Sequence, residues 1–187
     1  KTPNIYYDRK QGIGSPFYYY ANGAAVSEVV LDVLTGEYRV TRVDICHDVG
    51  HSLNPALDTG QIEGGFVQGM GWLTTEELVW DDNGRLETNA PASYKIPAIG
   101  DTPPKFNVEL FARSPNAKET VFRSKAVGEP PLILAVSTWC ALKDAISSLS
   151  GYTRSPKLDS PATPERVLFA CGQMNDAQEG VSPNALV

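Results

Sequence analysis

Cysteine is scarce: Cys46, Cys140 and Cys171 are the three in 187 residues, widely spaced and without a C-x-x-C pair. An odd, scattered set suits neither a disulfide framework, nor a structural zinc site, nor an iron–sulfur cluster. A reducing cytoplasm is the expected compartment. Long apolar runs are also missing. The longest, Pro130 to Val136, falls far short of the roughly 20 residues a membrane-spanning helix needs, so no membrane partner is expected. There is no basic stripe, and 22 Asp and Glu outnumber 16 Lys and Arg for a net charge of −6. That argues against a nucleic-acid partner, which requires clustered positive charge to displace phosphate counterions. Repeats and low-complexity tracts are absent. The chain opens Lys1-Thr2-Pro3 with neither an initiator Met nor a charged-then-apolar leader, as expected of a piece cut from something longer.

What is present is an ordinary globular composition, 42% hydrophobic and 20% charged, in a length that suits one domain. Residues 1–16 are polar and turn-rich and read as an irregular leading arm. Residues 17–172 are expected to hold the packed domain, and 173–187, which lack periodicity, a disordered tail. The expected fold class is mixed α/β, with antiparallel hairpins packed against two principal helices. The β-prone runs Phe17–Leu34 and Glu37–Asp44 flank Thr35-Gly36 and predict the first hairpin, with Tyr38, Val40, Arg42 and Asp44 on one face and Arg39, Thr41, Val43 and Ile45 on the other. Asn83-Gly84, between Leu78–Trp80 and Leu86–Thr88, predicts a second. A further strand is expected over Phe106–Ala112.

The first main helix is placed at about Asp58 to Glu77, with Asp58 and Gln61 as a capping box and Asn54-Pro55 as an alternative start. Ile62, Phe66, Met70 and Leu73 form its apolar stripe. The second is placed at Leu132 to Leu149, opened by two prolines and stopped at Gly151. A short third helix begins at Thr163-Pro164 and runs to about Cys171.

Three clusters could carry chemistry. In Gly128-Glu129-Pro130-Pro131 a carboxylate sits between a glycine, which permits close approach of the main chain, and a proline, which steers Glu129 away from helical angles. It reads either as a fixed general base or simply as a charge ahead of a helix N-terminus. From Gly60-Gln61 to Gly71, the glycines Gly60, Gly64 and Gly71 with Gln61 and Gln68 recur at helical spacing. Such a face suits an oxygen- and nitrogen-rich cofactor, or equally a tightly packed neighbouring element. Cys46, His47 and His51 lie close in sequence but lack the H-E-x-x-H pattern and a fourth ligand, so no metal ligand is expected among them. Arg123 and Lys125 read as solvated strand-end charges.

Ser124 to Pro131, with Asp48-Val49-Gly50, Leu53 to Asp58, Gly60-Gln61 and Tyr94-Lys95-Ile96-Pro97, closely resembles the molybdenum subunit of the xanthine dehydrogenases, in the xanthine oxidase family. The motifs run in order between about Phe17 and Ala145. The resemblance implies the C-terminal part of a molybdenum-cofactor domain, in which Glu129 is the general base and Gln61 and Gly128 lie against a molybdenum–pterin cofactor that brings its own sulfur ligands. It implies a hydroxylase acting on a purine, hypoxanthine or xanthine, with water as oxygen donor. Iron–sulfur clusters and FAD would be carried by other domains or subunits. A related aldehyde or N-heterocycle oxidising enzyme, or a non-catalytic cofactor- or subunit-binding fragment, are the alternatives. The motifs that would hold the clusters, the flavin and the substrate-choosing residues cannot be placed in this chain, which is not expected to turn over substrate alone.

Overall fold

The structure is a computed structural model that describes residues 5–111 and 115–175. Its central sheet grows from the predicted hairpin: β3 (Gly23–Leu31) and β4 (Tyr38–His47) pair antiparallel. Asp32 closes their turn, its Oδ1 accepting from Leu34 N at 2.8 Å and its carbonyl from Gly36 N at 2.8 Å. The alternation expected of β4 breaks inside the strand. Glu28 pairs with Arg42 and Val29 with Val40, so Thr41 is an extra residue. A bulge of one residue reverses which side chains face inward. Val40 is therefore buried before it, and Val43, Ile45 and His47 after it.

β5 (Lys105–Leu110) completes the sheet in the order β3-β4-β5. It runs parallel to β4, with Val43 opposite Phe106 and Ile45 opposite Val108, a pairing that the expected antiparallel hairpins did not include. A helix between two strands returns the chain to the end from which it started, which makes the next strand parallel.

That helix is α1 (Pro55–Thr74), which starts earlier and ends earlier than predicted. Asn54, extended at φ −149°, caps it by accepting from Leu57 N at 3.3 Å, and Pro55 takes the first position, where a missing N–H costs nothing. Asp58 instead accepts from Ser52 Oγ, and Gln61 is exposed rather than engaged as a cap partner. Ile62, Phe66 and Met70 are buried as predicted and pack with Val43, Ile45 and Phe106; the Phe66 and Phe106 rings meet edge to face at 5.5 Å.

Pro130-Pro131 opens a 3-10 segment, Pro130–Ala135, before the α-helix α2 (Val136–Ser148). The single long helix predicted here is thus divided. The segment lies on α1, where a Cβ on Gly69 would stand 2.3 Å from Leu132 O and one on Gly65 3.3 Å from Pro131 Cβ. α3 (Pro164–Asn175) starts where Thr163-Pro164 predicted and runs further than expected, so 173–175 are helical; the remainder of the expected tail lies outside the described residues. Leu142, Ile146, Val167, Ala170, Cys171 and Met174 form a second core against Leu31 and Tyr38. Tyr38 donates to Ala162 O at 2.8 Å, and burial pushes its phenol up to about 12.

Two further differences are local. Residues 6–15, expected to be irregular, form a hairpin of β1 (Tyr6–Asp8) and β2 (Ile13–Ser15). The Asn83-Gly84 hairpin is reduced to a single bridge, Trp80 to Leu86, around a turn in which Asp81 accepts from Asn83 N and Arg85 N. All three cysteines are free, and no helix among the described residues is long and apolar enough to cross a membrane.

The two kinds of glycine on α1 should respond oppositely to a methyl group. Nothing lies within 4 Å of a Cβ on Gly64, so Gly64→Ala should raise stability by about 0.5–1 kcal/mol through helix propensity. Gly69→Ala should lower it by about 1–3 kcal/mol, because a packed carbonyl must move. Urea unfolding midpoints of the two variants test this; equal shifts would show that the helix surface is not divided in this way.

Candidate active site

The candidate site is built where the end of β4 meets the segment leading to Glu129. Gly50 has φ +64°, and a Cβ there would stand 2.5 Å from Arg123 O. A glycine is required by both conformation and space. The two stretches then pair like short strands: Gly50 bridges Ser124, His51 N donates to Arg123 O at 3.0 Å, and Lys125 N donates to Val49 O at 2.8 Å.

Beneath this pairing lies an ion pair that sequence reasoning missed. Lys125 Nζ donates to Asp48 Oδ2, with 8% and 6% of the two side chains exposed, while Asp48 Oδ1 accepts from Gly50 N at 2.8 Å. Lys125 is therefore not the solvated charge that was expected. Both residues stood in motifs singled out in the sequence, but no periodicity relates positions so far apart. Arg123 is also committed, donating to Ala117 O at 3.1 Å. Tyr19 is a second missed contributor; its hydroxyl accepts from Ala126 N at 2.9 Å.

Gly128 and Glu129 follow, both exposed. A Cβ on Gly128 would stand 3.3 Å from Gln61 Oε1, so the structure brings together the two residues expected to face a cofactor. Glu129 sits next to them at the start of the 3-10 segment, with φ −106° and ψ −41°. These near-helical angles correct the expectation that Pro130 would hold it extended. They let the Glu129 carbonyl accept from Leu132 N at 3.2 Å, and this first turn, docked on α1, outweighs the local clash with proline. The Glu129 side chain caps nothing.

Of the glycines read as one face, Gly60 and Gly64 have nothing within 4 Å of an added Cβ, whereas Gly71 is pressed against Pro97 and Glu76. Gly60, Gln61, Gly64 and Gln68 thus form an exposed strip of bare backbone and amides beside Glu129. Two grooves of the described residues lie elsewhere. One lies between β3 and α2, the other between Phe17–Tyr20 and Pro115–Lys118. The site is an open wall.

Cys46, His47 and His51 point to different surroundings. His47 is buried, and His51 is exposed with Nδ1 3.2 Å from Phe122 O. Burial pushes the pKa of His47 below the usual imidazole value; Asp48 opposes this, and the charge of Lys125 adds a smaller push in the same direction as burial. Its Nδ1 has no hydrogen-bond partner among the described residues.

Residues 1–103 match the sequence model of the molybdopterin cofactor-binding domain. The chain belongs to this family. Xanthine dehydrogenase/oxidase of Gallus gallus is 52% identical to this molybdopterin-binding chain over 174 residues, 91% of the chain and 13% of that protein. Quinoline 2-oxidoreductase from Pseudomonas putida 86 is 29% identical with a TM-score of 0.73, over 82% of this chain and 19% of its own. Aldehyde oxidoreductase from Desulfovibrio gigas is 29% identical with a TM-score of 0.69, over 86% and 16%. The mixed α/β fold of the molybdopterin-binding chain is that of these enzymes, and it spans about one eighth of the curated relative's length.

The state of His47 gives a pH dependence with a definite sign. Above its ordinary value of about 6.5 the imidazole is neutral whether folded or unfolded; below it the unfolded chain takes up the proton more readily. Stability should therefore fall as pH drops from about 6.5 towards the depressed folded value. His47→Met should flatten that acid-side slope. Thermal midpoints of both proteins from about pH 7.5 to about pH 5 measure the difference; parallel curves would mean that His47 takes up a proton equally well in both states.

Proposed function

We propose that residues 17–175, preceded by the arm 1–16, form the C-terminal portion of the molybdenum-cofactor domain of a xanthine dehydrogenase. The complete enzyme oxidises hypoxanthine and xanthine to urate in the cytoplasm, with iron–sulfur clusters and FAD on its other domains or subunits. The observation that carries this reading is the placement of an exposed carboxylate, Glu129, which caps nothing among the described residues, beside Gln61, Gly128 and the bare strip of α1. The strip fits a pterin: Gly60 and Gly64 let a flat group approach the backbone, and the Gln61 and Gln68 amides can both donate and accept.

When bound, the molybdenum–pterin cofactor supplies the two-electron acceptor and the oxygenating centre. Replacing a purine C–H by C–OH with oxygen from water releases two protons and two electrons. Glu129 acts on the proton side of that balance, its carboxylate taking the proton of the water-derived nucleophile as a general base. Gln61 hydrogen-bonds the pterin, and Gly128 leaves room between them. The chain supplies the base and one wall, and it does not turn over substrate alone. The likeness to quinoline and aldehyde oxidising enzymes supports a second reading, in which the same base serves an aldehyde or another N-heterocycle.

In the complete enzyme, Glu129→Gln should lower xanthine-dependent dye reduction by about 10² to 10⁴ while molybdenum and pterin contents stay the same. Unchanged turnover would instead favour a cofactor- or subunit-binding wall without chemistry. Reduction by aldehyde or quinoline but not by xanthine would favour the second reading.

A further inference from the structure

We infer that the buried Asp48–Lys125 pair is a positioning device for Glu129, an inference that rests on the reading of Glu129 as the base. Burying two charges costs more desolvation than burying an apolar pair of the same shape, so such a pair contributes geometry more than stability. Here the geometry is specific. Asp48 is fixed by its N–H on Asn22 O at 2.8 Å and by Gly50 N on its Oδ1, so it offers Oδ2 from a rigid place at the end of β4. Lys125 is gripped at both ends by consecutive residues, its backbone N by Val49 O and its Nζ by Asp48.

From there the chain runs to Pro131, which is buried on Gly65 of α1. Glu129 lies within this short span between two anchors. Between the anchors, among the described residues, Tyr19 holds Ala126 N, Val127 packs against the first core and Gln61 lies beside Gly128. Because the Glu129 side chain caps nothing, the anchors decide where its carboxylate stands. Reaction rates are steep in such placement, and a shift of about 1 Å can cost about 10²-fold. Asp48 and Lys125 touch neither substrate nor cofactor in this scheme; they act through the backbone of residues 125–129.

The test compares Asp48→Asn, Lys125→Met and the double variant in the complete, cofactor-loaded enzyme. Each single change leaves one charge buried and unpaired, and should lower the thermal midpoint. The double variant removes both charges and should regain at least half of the lost midpoint. If the pair positions the base, kcat of the double variant stays down by about 10- to 100-fold with KM within about twofold, and amide exchange of residues 126–129 remains faster than in the parent. Recovery of kcat along with the midpoint, or parental exchange in 126–129, overturns the inference. Where the double variant does not fold, Tyr19→Phe decides. It loosens the same span without stranding a charge, and an unchanged kcat there overturns the inference. Glu129→Gln assayed in parallel keeps the two ideas apart. Parental turnover in that variant rejects the base, whereas its loss beside a fully active double variant rejects only the positioning role.

Discussion

The structure depends on the close approach of the 3-10 segment Pro130–Ala135 to α1, which two glycines make possible. At Gly69 a single methyl group would stand inside the contact distance of Leu132 O, and at Gly65 it would meet Pro131 Cβ at 3.3 Å, a close but milder contact. Because the segment can lie directly on the helix, Ala135 is buried in the core formed by Ile62, Phe66 and Met70. α2 therefore leaves α1 in the direction that lets Leu142 and Ile146 join α3 in the second core. The same contact fixes Glu129 at the start of the segment. One constraint of space thus joins the two cores and sets one boundary of the candidate site.

Elements whose determinants are local were legible in the sequence. The 3.6-residue recurrence of Ile62, Phe66 and Met70, the proline-opened starts at Pro55 and Pro164, and the Thr35-Gly36 turn each act through neighbours in the chain. What escaped depends on partners distant in sequence. The bulge at Thr41 is a mismatch between two strands, and neither strand alone reveals it. The parallel pairing of β5 follows from the intervening helix rather than from its own alternation. The start of α1 was ambiguous because two capping signals compete, and the Asn54-Pro55 signal prevails by adding a hydrogen bond and a pre-set proline angle together.

The site shows the same division. Gln61 and Glu129 were named from motifs and their order, but spacing could not say that Gly128 would rest against Gln61 or that Gly71 would turn to Pro97 instead. Nor could it show which glycines serve packing and which leave backbone bare. On α1 these are adjacent stripes: Gly65 and Gly69 are covered by this chain's own 3-10 segment, and Gly60 and Gly64 by nothing within 4 Å among the described residues. A glycine-rich helix read only as a sequence merges the two.

Exposure and fixation are consequently carried by different residues. A carboxylate that must meet a proton cannot also be consumed as a helix cap or in an ion pair, since either would stabilise its charged form and weaken it as a base. Among the described residues Glu129 caps nothing and joins no ion pair, and rigidity is delegated to other groups. Asp48, Lys125 and Gly50 hold one end of its span, and Gly65 and Pro131 hold the other. Burial suits the first group because a dry ion pair has few alternative arrangements, whereas an exposed one would exchange with water. The charge that the fold hides at Asp48 is thus the counterpart of the charge it leaves in the open at Glu129.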